Sequence, residues 1–449
     1  MSLALELARF VTDSPAIPGL ALDRAKASLA STVASAAMGQ RIPSAAIIRK
    51  LALVDGGQPA AALWFDGARL PLAAAARVNA VASDAAASDD SDLRSIAHIG
   101  TIISTTAIAV GEMRGASGAE MLRAMVLGYE IAGRIDEALT PGRMQRGFHG
   151  SVSTIFGAAV TAGCLLRLDA ARMAQAIALA ATSAAGMAIA ADTSTAREYH
   201  AGLAASGGIQ AALAAEAGFK GETDVLDKPR GFLDAMNGQA AEDITRGLGE
   251  DWDIVTDMAI KLMPGAHPFH ATAEAAEEAG RLAQAKPEEI ESILISSSVQ
   301  WTKFKGAPHP RNLVDAAHSL YYFVAASIVD GRFSWQHMGE AKMADPVIAA
   351  VQEKVVFDPN PAPLPDRFPH RHGGTVTIRT TDGRSFTSTC KAPRGSGPRG
   401  VDWADIDAKY RALVPLSGLS AERLDNSLAL IARFETEAAP KLTELLVVG

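Results

Sequence analysis

Cysteine is nearly absent: Cys164 and Cys390 are the only two in 449 residues. Two thiols cannot make a disulfide framework or a thiolate-rich zinc site, nor the three or four thiolates of a cubane iron–sulfur cluster. Such scarcity is the habit of a reducing compartment, so a cytoplasmic protein is expected. An excess of positive charge is missing too, with 42 Lys+Arg against 50 Asp+Glu and a net charge of −8. Nucleic acid and anionic membrane surfaces, which need a basic patch, are therefore not expected as partners. The first residues carry Glu6 and Arg9 inside their apolar stretch, so no secretory leader is read. Strongly apolar runs of spanning length are also lacking. The two uncharged stretches, 147–166 and 173–191, are mostly Ala, Gly, Ser and Thr, interrupted by His149 and Gln175. Small side chains gain little from hydrocarbon, and these stretches are expected to form two helices buried on all sides of a helical domain. Absent as well are a GxxxxGK[ST] phosphate loop, a GxGxxG turn after a strand, an HExxH helix and a GxSxG elbow. Nucleotide hydrolysis, dinucleotide redox chemistry and the common serine hydrolase mechanism have no support.

What the chain does have is length and apolar content, 48% of its residues, enough for a large core. Apolar spacing of three and four over 22–38 and 44–53 predicts helices ending at Gly39 and Gly56. Ser117 and Glu120 form a capping box that opens a helix reaching Leu139, where Pro141-Gly142 stops it. Residues 60–72 read as a small hairpin around Phe65-Asp66-Gly67-Ala68. After about residue 264 the texture changes. Strands are predicted at 290–299 and 354–357, and two more at 375–379 and 384–390 flank the turn Thr381-Asp382-Gly383. Helices are predicted at 310–329 and 345–352, the latter with Asp345 as N-cap and Pro346 at the first helical position. Residues 358–369 read as a proline-rich loop, and helices return over 403–445. The fold class is thus two-domain: a large all-α helical domain, residues 1–262 with 400–449 returning to it, and a smaller α+β domain, residues 263–399.

Polar islands interrupt this apolar background. Asp89-Asp90-Ser91-Asp92, followed by Arg94 and His98, reads as an acidic helix start, or more plainly as a solvated cap. Arg143, Arg146 and His149 precede a small-residue helix, where a histidine can act as acid or base or be a satisfied core residue. Arg197 and His200 open another such helix, and the planar guanidinium suits a carboxylate unless it merely pairs with Glu198. Lys261 lies in an apolar segment ahead of His267 and His270, a setting for a base or anion-binding group, or for a lysine that carries its charge out to water. The histidine pair has no clear third ligand, so no metal is expected. His318, Tyr321 and Tyr322 close the set, with aromatic packing as the plain alternative for the tyrosines. Taken together, cations and histidines suit a small polycarboxylate from which a proton alpha to a carboxylate is removed.

At these residues the sequence resembles the MmgE/PrpD family, which includes 2-methylcitrate dehydratase, cis-aconitate decarboxylase and iminodisuccinate epimerase. The resemblance rests on Asp89-Asp90-Ser91 with His98, on Gly147-Phe148-His149-Gly150 through Phe156-Gly157, and on His200-Ala201-Gly202. It continues over Lys261 to His270, His318 to Tyr322, and Ala392-Pro393-Arg394-Gly395. It implies a helical domain, a smaller α+β lid domain, a homodimer, and catalysis without metal or organic cofactor. Carried over, it implies catalytic roles for His98, His149 and Lys261, and substrate-binding roles for Ser91, Arg197, His267 and Tyr322, with Asp90 and His200 as further candidates. Two positions depart from the family pattern: Ala87 stands where an Asp is frequent, and Arg197 where Lys is common. Arginine stays protonated, so Arg197 is expected to grip a carboxylate while Lys261 or a histidine moves the proton. The expected activity is that of a lyase acting on a small di- or tricarboxylate, of the 2-methylcitrate dehydratase type. Epimerisation is the alternative outcome, decarboxylation ranks last because of Ala87, and a non-catalytic carboxylate-binding protein is the reading from another class.

Overall fold

A computed structural model describes residues 2–94, 96–238, 241–298, 308–361, 373–397 and 399–448. The chain forms two compact units, Met1–Ile260 with Asp402–Gly449, and Lys261–Val401. Among the described residues, no helix is long and apolar enough to cross a membrane.

The first unit is a stack of helices whose contacts are made by small side chains. Ser151–Leu165 lies against Gly118–Leu139 and against Ala196–Glu216, and the latter also packs on Leu72–Ala85. Gly208 shows why alanine and glycine dominate here: a Cβ at this position would stand 2.7 Å from the Ala159 nitrogen and the Ile155 carbonyl oxygen. Only hydrogen fits, so the two backbones approach more closely than larger residues would allow. Ser117 and Glu120 form the capping box at the start of Gly118–Leu139. Residues 61–62 and 69–70 pair as a two-stranded hairpin. The returning C-terminal helix Trp403–Leu413 packs on Gly19–Gly39.

Three expectations are corrected. The second uncharged stretch is not one helix buried on all sides. It forms Ala170–Ser183 and the short Ala188–Thr193, separated at Gly186, with Met187 and Ile189 exposed. The acidic segment is neither solvated nor at a helix start. Ser91–Asp92 pairs antiparallel with Met258–Ala259, and the helix Ile99–Arg114 begins only after His98. The segment is pinned by Arg94, whose guanidinium meets Asp253 at 2.6 Å, Asp257 at 3.2 Å and Glu137. The third correction falls in the second unit: residues 310–329 form two helices, Leu313–Ala317 and Leu320–Asp330. Ser319 interrupts them by capping the second, its hydroxyl accepting the Tyr322 N–H.

The second unit holds a four-stranded sheet in the order Val355–Phe357, Ile290–Ser296, Gly374–Thr380, Ser385–Cys390. The first pair is parallel and the others antiparallel. Val376 and Ile378 alternate inward, as a sheet covered on one face requires. The helix His270–Ala283 packs on the last two strands and on Leu320–Asp330. Gly383, at φ +86°, supplies the left-handed residue of the hairpin turn. The strand expected through Val299 is described to Ser296, and most of the proline-rich stretch lies outside the described residues.

Gly208→Ala should overpack the Ser151–Leu165 contact. The expected cost is about 1–3 kcal/mol, measured as a lower urea midpoint for loss of helical circular dichroism.

Candidate active site

The helix Leu72–Ala85 is apolar but for a few positions, and Asp84 is its only acid. Five residues on, after a turn in which Ala87 adopts φ +50°, the chain delivers Asp89 and Asp90. All three carboxylates are at most 1% exposed. Burying ionisable groups at this depth is costly unless each finds a partner. The partners come from four different parts of the chain.

His98 Nδ1 stands 2.6 Å from Asp89 Oδ2 and 3.2 Å from Asp84 Oδ1. Thr101, in the first turn of the next helix, donates its hydroxyl to the same Asp89 oxygen at 3.1 Å. Arg197 donates from Nε to Asp84 Oδ2 at 2.9 Å and from one Nη to the Asp84 carbonyl at 2.6 Å. Asp90 accepts from Ser28 Oγ at 3.2 Å. Lys409, on the returning C-terminal helix, binds Ser31 Oγ at 2.8 Å and the Ser88 carbonyl, next to Asp89 and Asp90. Gly100 makes room for this loop, since a Cβ there would overlap the Asp90 carboxylate. Burial, followed by the charge of Asp89, pushes the Asp90 carboxyl up to about 6, against the pull of His98, Ser28 and Lys409.

Three imidazoles form a row. The His98 and His149 ring centres are 6.1 Å apart, and those of His149 and His200 are 6.4 Å apart. Their hydrogen bonds fix different tautomers. Both neighbours of His98 Nδ1 are carboxylates, which can only accept, so Nδ1 carries hydrogen and Nε2 is the nitrogen that can exchange a proton. His149 Nδ1 accepts the backbone N–H of Ser151 at 3.2 Å, so in its neutral form the hydrogen sits on Nε2. Enclosure first, and then the positive surroundings of His98, Arg143, Arg197 and His200, hold His149 well below the ordinary histidine range. A neutral imidazole with hydrogen on Nε2 is a donor to an oxygen that gains negative charge. It is a poor base at that nitrogen. Burial also lowers His200, with Asp84 opposing.

The remaining expected residues fall as follows. Ser91 is buried in the short strand, 1% exposed. Arg143 is committed to Asp136, with Nε at 3.1 Å and Nη2 at 3.2 Å. In the second unit, Lys261, His267 and His270 are each at most 2% exposed, and the two imidazole centres are 4.7 Å apart. Tyr322, expected to bind substrate, lies inside the second unit. It is fully buried, it donates its hydroxyl to the His337 carbonyl at 2.9 Å, and it stands edge-on to Phe333. A metal would have one group of three donors to choose among the described residues, Asp84, Asp89 and His98, with ligand atoms all within 4.8 Å. Arg197 already pairs with Asp84, so a dication there would sit beside a guanidinium.

Sequence reasoning missed Asp84 and Lys409. The available signals were faint: one acid near the end of a largely apolar helix, and one lysine on the buried side of a tail helix.

A long helical unit followed by a smaller mixed unit, with a buried carboxylate–imidazole–guanidinium chain in the first, sets the class of protein. The chain belongs to the MmgE/PrpD family: residues 5–244 match the MmgE/PrpD N-terminal domain and residues 263–432 the C-terminal domain. Among curated relatives, the cis-aconitate decarboxylase of Mus musculus is 26% identical over 392 residues, covering 84% of this chain and 79% of the relative. That of Homo sapiens is 26% identical over 388 residues, covering 84% and 80%. That of Aspergillus terreus is 26% identical over 410 residues, covering 84% and 82%.

Two measurements check the electrostatics. Asp90 ionises near 6 when folded but near 3.8 when unfolded, so its charge opposes folding as pH rises through that window. Asp90→Asn should match the wild type below pH 4 and exceed it above pH 6, by about 3 kcal/mol at most, in urea melts at each pH. Nitrogen-15 spectra of histidine-labelled protein should show His149 as the Nε2–H tautomer, unprotonated from pH 8 down to pH 6.

Proposed function

We propose that this protein is a lyase acting on a small di- or tricarboxylate, with proton transfer carried by side chains. The observation that carries the proposal is the linkage of Arg197, Asp84, His98 and Asp89, which holds a guanidinium and an imidazole in one rigid frame beside His149. Arg197 spends Nε and one Nη on Asp84 and keeps the other Nη for a substrate carboxylate. His98 Nε2 exchanges the proton, and the carboxylates at Nδ1 stabilise the imidazolium formed. His149 donates from Nε2 to the oxygen that gains charge. Lys261 is the second proton-transferring group, and His267 and Ser91 bind substrate. Tyr322 has a packing role, because its hydroxyl is already used.

The relatives bear the name cis-aconitate decarboxylase, which makes cis-aconitate the first acid to try. Loss of carbon dioxide leaves a carbanion that an acid must protonate. Dehydration removes a proton and expels hydroxide, and epimerisation returns the proton to the opposite face. Each requires a held carboxylate and a proton carrier beside it. Ala87 leaves one fewer acidic group in this frame, a difference that bears on which outcome follows.

Cis-aconitate, citrate, 2-methylcitrate and iminodisuccinate, each followed by proton NMR in deuterated buffer, provide the test. At least one should exchange or turn over, and His98→Gln and Lys261→Met should each slow it by about 100-fold or more. Full rate in both variants, or no change in any acid, would sink the proposal.

A further inference from the structure

We infer that Asp84 is a positioning residue that couples the carboxylate-holding guanidinium to the proton-moving imidazole. One side chain serves both: Oδ1 faces His98 Nδ1 at 3.2 Å while Oδ2 accepts Arg197 Nε at 2.9 Å. The backbone carbonyl of the same residue takes a second Arg197 donor at 2.6 Å. Asp84 comes from the end of Leu72–Ala85, Arg197 from the first turn of Ala196–Glu216, and His98 from the residue before Ile99–Arg114. Three helix ends are therefore tied at one carboxylate that is 1% exposed, whereas Arg197 retains part of its surface.

Two consequences follow from this geometry. The charge of Asp84 competes with substrate for Arg197, which restrains carboxylate affinity. The same charge holds the Nδ1–H of His98, jointly with Asp89, and so keeps Nε2 presented for proton transfer. Asp84 thus trades binding for alignment. A residue that only supported the fold would not move these two quantities in opposite directions.

The inference rests on the proposed carboxylate chemistry, and the test separates the two. Asp84→Asn keeps shape and loses charge, and its amide can donate to the imidazole where a carboxylate only accepted. With whichever of cis-aconitate or citrate the wild type exchanges in deuterated buffer, kcat for Asp84→Asn should fall at least about tenfold, Asp89 preserving the remainder. KM should fall by about threefold through relief of one opposing charge, and Asp84→Glu should restore part of kcat. Independently of any substrate, the Nε–H resonance of Arg197, assigned by its loss in Arg197→Lys, should exchange with water at least tenfold faster in Asp84→Ala. Unchanged kcat and KM in Asp84→Asn, or a parallel loss of active protein at constant KM with an unmoved Arg197 resonance, would overturn the role of Asp84. A wild type inert towards every acid, with an Arg197 resonance that still responds to Asp84, would overturn the lyase proposal and with it the catalytic part of this inference, while leaving the coupling itself standing.

Discussion

The burial of Asp84, Asp89 and Asp90 inside a helical core is the constraint around which the first unit is organised. A carboxylate without a partner in such surroundings would cost several kcal/mol, so the fold must bring matching groups to all three. Ile99–Arg114 and the residue before it bring Thr101 and His98, Ala196–Glu216 brings Arg197, Gly19–Gly39 brings Ser28, and Trp403–Leu413 brings Lys409. Elements as distant in sequence as residues 28 and 409 are therefore held in one arrangement by electrostatics as well as by packing. For Asp90 burial outweighs its partners, and its raised affinity for a proton expresses that balance.

Small side chains make this arrangement possible. The same scarcity of bulk that makes the uncharged stretches look unlike membrane spans lets Ala196–Glu216 approach Ser151–Leu165 at Gly208. Close helix spacing in turn sets His98, His149 and His200 in a row at little more than 6 Å between rings. Similar side chains in one row acquire different chemistry through their hydrogen bonds. Carboxylates at Nδ1 of His98 place the hydrogen of the neutral ring on that atom, while a backbone N–H at the same atom of His149 places it on Nε2.

The second unit repeats the lesson with aromatic groups. Tyr322 sits in a motif that reads as functional, yet its hydroxyl is satisfied by the His337 carbonyl and its ring by Phe333. His337 is in turn held by Asp330 at 2.9 Å. A polar side chain in such a network gives the core a unique geometry, and this use is indistinguishable from a binding role when only the letters are read.

Local structure was legible wherever a short-range signal decides it. The capping box at Ser117, the N-cap at Asp345 and the turn at Gly383 need only their neighbours in sequence, and each forms where it was read. The same holds for the change of texture after residue 264. The break between Ala317 and Leu320 was not legible, because Ser319 suits a helix interior on periodicity alone and acts as a cap only once the chain bends there. Asp84 and Lys409 were invisible for a deeper reason. Arg197 lies 113 residues from Asp84, and Ser31 lies 378 residues from Lys409, so a charge in either helix carries no mark of the distant group that will meet it. Sequence alone determined which groups could do chemistry; tertiary structure decided which of them meet, which tautomer each holds, and which are spent on one another, because Coulombic and hydrogen-bond energies depend on distances that only the folded chain sets.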